Sequence, residues 1–200
     1  MGLLGPILRL VWQPEVDGKE KVPVAKGGIL VCNHLKWWDP LLLAVVLPKH
    51  TLHFVAKVEL FRNKFVGWLL RHLNCIPVDR KRADLSAVKA SIRTVNAGGI
   101  LGIFPEGTRS KTGELLHFEE GTAFFALKCD CLVYPAHIDV KRRGGKRKVT
   151  FGDPVDVSQI GSELQRNERM TLITEKIREE IIALAAVQEA CHSAKKIGGN

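Results

Sequence analysis

Two side chains suited to acid–base chemistry, His34 and Asp39, lie five residues apart in the segment Asn33–Asp39. An aspartate that accepts a hydrogen bond from one imidazole nitrogen fixes the tautomer of the ring and leaves the other nitrogen free to act as a base. In one continuous helix the two residues would lie about 140° apart, so they can meet only in a turn. The spacing predicts a general base with its partner. It leaves open that Asp39 only caps a helix and that His34 is an ordinary loop histidine.

The segments on either side of this pair predict such a turn. Residues 29–32 are apolar, follow two glycines and are partly β-branched, which is typical of a buried strand. Residues 40–47 are apolar and begin with Pro40, which a helix accepts at its first position, so Asp39 would be the N-cap. His34 would then lie in a strand-to-helix connection, where rigid elements often hold catalytic side chains.

A second group of polar side chains lies in the segment Phe104–Ser110, which also follows a predicted strand. Gly107 permits a positive φ or a close backbone approach. Thr108 offers a hydroxyl group, and Arg109 offers a planar fork of donors that suits phosphate oxygens. The segment is not a nucleotide-binding P-loop, because Thr108 stands where that motif requires lysine. It predicts a phosphate-binding turn; an ordinary turn is the alternative, but it does not account for Glu106 and Arg109 on either side of the glycine.

Two further cations follow predicted strands. Arg80 follows residues 75–78 and could hold a phosphate, with Asp79 orienting it. Lys57 follows residues 53–56 and could bind an anion as a point charge. The alternative at both places is an ordinary solvated charge, and for Lys57 an ordinary surface lysine is the simpler interpretation.

Strands alternate with helices along most of the chain. The predicted strands are residues 29–32, 53–56, 75–78, 100–104, 132–140 and 148–151; the predicted helices are residues 40–47, 58–73, 84–96, 120–129 and a long amphipathic one from about Met170 to Leu184. Within residues 58–73 the pattern places Phe65 on the inward face. The alternation predicts one α/β domain over residues 1–200, with a largely parallel mixed sheet flanked by helices.

The composition excludes several classes of protein. With 46% apolar and 26% charged residues, the chain has the balance of a folded globular protein. Its five scattered cysteines match neither a zinc motif nor a disulfide framework, so we predict reduced thiols and no metal site. No uninterrupted apolar run approaches the roughly 20 residues that a membrane span requires.

The formal net charge is +9, and residues 1–100 carry most of the excess. Such charge favours nucleic acid, an anionic membrane surface, an acidic carrier protein or a phosphorylated substrate as partner. The basic hairpin tip at residues 141–148 has no aromatic side chain to stack on bases, which argues against nucleic acid. Residues 1–27 are predicted as an N-terminal segment whose apolar part either lies in a membrane interface or packs on the domain.

Four blocks, in this order, resemble those of the lysophosphatidate acyltransferase family of glycerolipid acyltransferases. His34 to Asp39 resembles the first block, a histidine and an aspartate separated by four residues. Ile76–Arg80 resembles the second block, and Phe104–Ser110 matches the third without a gap. Val133–Ala136 resembles the fourth, a strand with an embedded proline. The blocks extend over about residues 30–140 of the chain.

This resemblance implies a glycerol-3-phosphate acyltransferase-like fold and a reaction. An acyl group would pass from acyl-CoA or acyl-carrier protein to the 2-hydroxyl of 1-acyl-glycerol-3-phosphate, giving phosphatidate at the cytoplasmic face of the cell membrane. No cofactor beyond the donor and no acyl-enzyme are implied. His34 would be the general base, oriented by Asp39. Arg80 and the loop Glu106–Arg109 would bind the phosphate and glycerol of lysophosphatidate, with Glu106 on a glycerol hydroxyl or positioning one of the two arginines.

The chain departs from the family pattern at two places. Lys36 stands where the family often has serine, and there it could depress the pKa of the imidazolium or add a phosphate contact. Asn74-Cys75 stands where the second block often begins with glycine. Both leave the acceptor open, so an enzyme of the same family that acts on glycerol-3-phosphate or another lysophospholipid is the near rival. The distant rival is a non-catalytic basic protein that binds membranes or nucleic acid.

Overall fold

The computed structural model describes residues 4–24, 26–79, 81–82, 84–139 and 147–197. The strands in these ranges are β1 (Glu15–Asp17), β2 (Gly28–Cys32), β3 (Leu52–Lys57), β4 (Ile76–Val78), β5 (Ile100–Ile103), β6 (Val133–Asp139) and β7 (Lys148–Phe151). The helices are α1 (Leu4–Trp12), α2 (Asp39–Val46), α3 (Lys64–His72), α4 (Leu85–Asn96), α5 (Gly121–Cys129) and α6 (Arg166–Ile197), with short 3-10 helices at Lys19–Lys21 and Val58–Arg62.

The strands form one sheet in the order β1-β7-β6-β2-β5-β3-β4. Every neighbouring pair is parallel except β6 and β7, which form an antiparallel hairpin. The predicted α/β fold with a largely parallel sheet is therefore confirmed. Because β2, β3, β4 and β5 run in one direction, the segments that follow them leave the sheet at the same edge, where α/β proteins commonly bind ligands.

The central strand β2 is buried on both faces, which explains its uninterrupted apolar sequence. Leu30 and Cys32 face one core, which α1, α2 and α3 cover. Ile29 and Val31 face the other, which α5 and α6 cover, and α4 packs beside α5 over β4 and β5. A strand held from both sides is a rigid support for the residues that follow it.

Two local predictions were wrong. Phe65 is exposed, because α3 turns Gly67 toward the preceding 3-10 helix, where an added Cβ would lie 2.6 Å from the carbonyl oxygen of Phe61. That close approach fixes which face of α3 points inward. In addition, α2 begins at Asp39, so Pro40 is its second residue, and Asp39 is not the N-cap.

The N-terminal helix α1 packs against α2 and the core. The guanidinium carbon of Arg147 lies 5.0 Å from the ring centroid of Trp12 and 5.5 Å from that of Trp38, so it joins the end of α1 to the start of α2. Leu10 and Val11 remain exposed on α1. Among the described residues, no helix combines the length and apolar character that crossing a bilayer requires.

Candidate active site

Asn33 fixes the point at which the chain leaves β2. Its side-chain Oδ1 accepts a hydrogen bond from the Ile138 backbone N–H at 2.7 Å, and its Nδ2 donates to the Ile138 carbonyl oxygen at 3.0 Å. The buried amide thereby continues the pairing of β2 with β6 by one residue beyond the strand. His34, the next residue, starts from a rigid position. Nothing in the sequence except the position of Asn33 after a strand pointed to this role.

His34 and Asp39 meet in the turn between β2 and α2. The Nδ1 atom of His34 lies 3.0 Å from Oδ2 of Asp39, and the Asp39 side chain is completely buried. The same Oδ2 atom accepts backbone N–H bonds from Leu35 and Lys36, each at 2.7 Å. The carboxylate therefore turns back to its own loop instead of capping α2, because two closely spaced loop N–H groups and the imidazole all converge on it. An ionised Asp39 accepts a hydrogen bond from Nδ1–H, which leaves the lone pair on Nε2.

The histidine ring is held by stacking as well as by hydrogen bonding. Phe104 lies parallel to it with ring centroids 4.1 Å apart and an angle of 21° between the planes. Phe54 lies behind Phe104 at 5.9 Å. Gly102 makes this arrangement possible, since a Cβ at that position would lie 2.3 Å from the ring of Phe54, its partner in the β3–β5 register. Stacking and hydrogen bonding together therefore fix the orientation of the His34 ring.

Glu106 connects the two loops that form the site. Its Oε1 accepts the backbone N–H of His34 at 2.8 Å and its Oε2 accepts that of Leu116 at 3.2 Å. Only 6% of the residue is exposed. Burial raises the pKa of this carboxyl group, and the two N–H bonds act in the opposite direction. Each oxygen accepts one backbone N–H bond and can accept a further one, so the assignment of Glu106 to a glycerol hydroxyl or to the positioning of an arginine stays a prediction beside this structural role.

A cleft of about 530 Å³ opens beside His34. Its lining includes Lys57, Gly107, Thr108 and Arg109, so four of the predicted substrate-binding residues meet the predicted base there. Its apolar lining consists of Trp37, Pro40, Phe54, Val55, Ala56, Leu60, Leu70, Cys75, Gly102, Ile103, Phe104, Gly121 and Phe125. Gly107 has a φ of +63°, which turns the loop at the cleft and disfavours any other residue. The cleft therefore joins cationic groups to an apolar wall.

The structure describes the neighbours of Arg80, the other predicted phosphate-binding arginine. Arg80 lies outside the described residues. Val78, the last residue of β4, pairs with Lys57 of the cleft lining. The Asp79 carboxylate bonds the backbone N–H of Lys81 at 3.0 Å and the guanidinium of Arg82 at 2.9 Å. The side chain of Arg82 is exposed.

Lys36 does not line the His34 cleft. Its backbone N–H bonds Asp39, and the residue lies at a different and larger cleft of about 760 Å³, together with Ser110, Lys111 and His137. A phosphate contact from Lys36 in the His34 cleft is therefore not supported. Lys36 stabilises the turn through its backbone N–H, a contact that most residue types could make.

Glu106 provides a direct test of the connection between the two loops. In a Glu106→Ala variant the buried N–H groups of His34 and Leu116 lose their acceptor, and each orphaned group costs about 1–3 kcal/mol. We expect the free energy of unfolding to fall by about 2–6 kcal/mol, measured by urea denaturation. Glu114→Ala, an exposed change in the same loop, is the control and should stay within about 0.5 kcal/mol of the unmodified protein. Equal stability of both variants would contradict this role.

The chain is similar in sequence to known acyltransferases. The acyltransferase family model matches residues 13–139. The 1-acyl-sn-glycerol-3-phosphate acyltransferase of Bacillus subtilis is 32% identical over 181 residues, which cover 88% of this chain and 89% of that protein. The enzyme of the same name from Streptococcus pneumoniae is 27% identical over 206 residues, covering 97% of this chain and 76% of that protein.

A solved structure shows the same architecture. The crystal structure of PlsC, the 1-acyl-sn-glycerophosphate acyltransferase of Thermotoga maritima, superposes with a TM-score of 0.71 at 25% identity and covers 92% of this chain and 76% of that one. The family match includes β2, the turn with His34 and Asp39, and the loop that contains Glu106 and Arg109. On this agreement of sequence and fold, the chain belongs to the acyltransferase family.

Proposed function

We propose that the chain transfers a fatty acyl group from a thioester to the 2-hydroxyl of 1-acyl-glycerol-3-phosphate and so makes phosphatidate. The observation that carries this proposal is the ring of His34, bonded to buried Asp39, at the wall of a cleft that also contains Arg109. The names of the relatives supply the acceptor and product. Acyl-CoA and acyl-carrier protein both carry the acyl group as a thioester, so either is a suitable donor.

The reaction follows from the arrangement of the base. Nε2 of His34 takes the proton of the 2-hydroxyl while the oxygen attacks the thioester carbonyl carbon. The tetrahedral intermediate collapses, the carbon–sulfur bond breaks, and the imidazolium returns its proton to the thiolate. An ester and a free thiol result, and His34 is regenerated. Asp39 stabilises the imidazolium between the two steps, because its charge lies 3.0 Å from Nδ1.

A covalent acyl-enzyme is not part of this scheme. Cys75 is the thiol that lines the cleft, and burial raises its pKa to about 12, so it is protonated at neutral pH and is a poor nucleophile. The second nearby thiol, Cys32, is completely buried, and burial together with Asp39 and Glu106 raises its pKa well above the ordinary value. Direct attack by the acceptor hydroxyl therefore fits the site better.

The two ends of the acceptor fit the two parts of the cleft. Exposed Lys57 and Arg109 can contact the phosphate, and Thr108 can donate to a phosphate or glycerol oxygen. Arg80 is proposed as a third cation from the family resemblance. The apolar wall around Phe54 and Phe125 suits acyl chains.

The protein is proposed to work at the cytoplasmic face of the cell membrane. The acceptor and product are lipids, and the excess positive charge in the first half of the chain favours an anionic lipid surface. The N-terminal segment, residues 1–27, is proposed to contribute through the exposed Leu10 and Val11 of α1.

Removal of Arg109 tests the phosphate role. In Arg109→Ala we expect kcat/KM for lysophosphatidate to fall about 10- to 100-fold, the effect of losing one charge-assisted hydrogen bond. With 1-acylglycerol, which lacks the phosphate, the loss should be less than about threefold. The measurement is acyl transfer by the purified protein, with acyl-CoA and acyl-carrier protein compared as donors.

Arg82→Ala is the matched control, because Arg82 is exposed, is bonded to Asp79 and does not line the cleft. It should leave transfer to both acceptors unchanged. Equal loss on the two acceptors in Arg109→Ala would contradict the phosphate role. Faster transfer to glycerol-3-phosphate or to another lysophospholipid than to lysophosphatidate would contradict the proposed acceptor.

A further inference from the structure

Four large apolar side chains are exposed in the turn that contains His34 and in the segment Val58–His72. Phe65 and Trp68 are 71% and 49% exposed on α3, and their rings lie 6.3 Å apart at an angle of 26°. Leu60 in the preceding 3-10 helix and Trp37 in the catalytic turn are also exposed, and both line the cleft. We call Leu60, Phe65 and Trp68 the apolar rim.

The apolar rim is not required for the core of the domain. The other face of this segment already packs against the core through Phe61, Leu69 and Leu70. The close approach of Gly67 to Phe61 leaves α3 no room to rotate and bury Phe65 instead. Neighbouring exposed aromatic side chains on a soluble domain commonly mark a contact surface. The rim is thus a second apolar face that the fold leaves uncovered.

The charges around the rim point to an anionic occupant. The cations of the segment Lys57–His72 are Lys57, Arg62, Lys64 and Arg71, and its one acidic residue is Glu59. All five are exposed. Each lysine or arginine close to an anionic membrane is attracted to it, and tryptophan favours the boundary between headgroups and acyl chains. Exposed aromatics flanked by cations on a short helix are the features of a segment that lies in the plane of a membrane interface.

We propose that the segment Val58–His72 is a membrane-docking face that inserts the apolar rim among the headgroups of an anionic bilayer and opens the His34 cleft toward the lipid. Leu60 belongs both to the rim and to the cleft lining, so a lysophospholipid can pass from the bilayer to the cleft along one apolar surface. This route rests on the proposed function, whereas membrane binding by the rim does not. The face consists of different residues from the exposed part of α1.

The test is sedimentation of the full chain with vesicles of phosphatidylglycerol and of phosphatidylcholine. We expect the doubly substituted protein Phe65→Ser, Trp68→Ser to bind phosphatidylglycerol vesicles at least about 10-fold more weakly than the unmodified protein. The control carries Leu85→Ser and Val187→Ser, which remove equally exposed apolar side chains from α4 and α6, and should bind normally. Neither Phe65 nor Trp68 lines the cleft, so transfer to a short-chain, monomeric lysophosphatidate should be unchanged.

Three results would overturn this proposal. The first is unchanged vesicle binding by the rim variant, and the second is binding lost only in Leu10→Ser, Val11→Ser, which would place docking on α1 alone. The third is a lipid-free dimer that the rim substitutions convert to a monomer, which would make the rim a protein interface. If the unmodified protein binds vesicles through the rim but does not acylate lysophosphatidate, then the proposed function fails and the docking face stands.

Discussion

Substitution of His34 by alanine is expected to lower acyl transfer to lysophosphatidate by about 10²- to 10⁴-fold, the usual contribution of a positioned general base. The loss should appear in kcat, because without Nε2 the 2-hydroxyl must attack while it is still protonated. Acyl transfer from a radiolabelled donor, followed over time with purified protein, measures it. Mixing the thioester with the protein alone should give no labelled protein before or after the substitution.

His117→Ala is the matched control for this experiment, since His117 is exposed and does not line the cleft. It should retain full activity. The His34 variant should still bind anionic vesicles as the unmodified protein does, which separates a lost base from lost folding or docking. Full transfer activity in His34→Ala would rule out the mechanism given above and would favour the non-catalytic rival.

The second large effect is expected from Asp39→Asn. The asparagine oxygen can take the place of Oδ2 and accept the N–H bonds of Leu35, Lys36 and His34, because all three converge on that one atom. The amide is neutral, so the imidazolium that forms during transfer loses the negative charge that stabilises it. We expect kcat to fall by about 10²- to 10³-fold, within the range that a positioned general base contributes. The rate should be measured from about pH 5 to 9, so that a displaced pH profile is not mistaken for a lost base.

Asp84→Asn is the control for this substitution, because Asp84 also accepts backbone N–H bonds, from Ser86 and Ala87, but lies at the start of α4 away from the cleft. The two variants should lose comparable stability, and only Asp39→Asn should lose activity. If both keep normal transfer rates, His34 does not depend on its carboxylate partner, and the base must be held by Phe104 alone.

Local patterns predicted much of this fold and part of the site. The unbroken apolar sequence of β2 and the proline at the start of α2 were sufficient to place His34 in a connection between them. A parallel sheet then brought Lys57 and Arg109 to the same edge as His34, although they lie far apart in the chain. These predictions depended on features within one element or on the general rule that parallel strands end together.

Other features could not be predicted because they depend on distances between elements. The family resemblance assigned Glu106 to a glycerol hydroxyl or to the positioning of an arginine, but its bonds to two backbone N–H groups of separate loops could be found only from the structure. The inward direction of Phe65 followed from helical spacing, but α3 is apolar on more than one face. Only the contact of Gly67 with Phe61 decides between these faces. The Phe104 ring beside His34 likewise depends on the register of β5 with β3.

The bond from the His34 N–H to Glu106 joins residues that lie 72 positions apart in the chain. Closing a loop of this length has an entropic cost that must be met before the contact contributes, so such contacts form late in folding. During synthesis, His34 and Asp39 leave the ribosome well before β5 and Leu116, and the turn between them then lacks both Glu106 and Phe104. For some time the nascent chain therefore carries its complete histidine–aspartate motif without an assembled base. Acyl transfer activity then requires that β5 and the loop after it have joined the sheet.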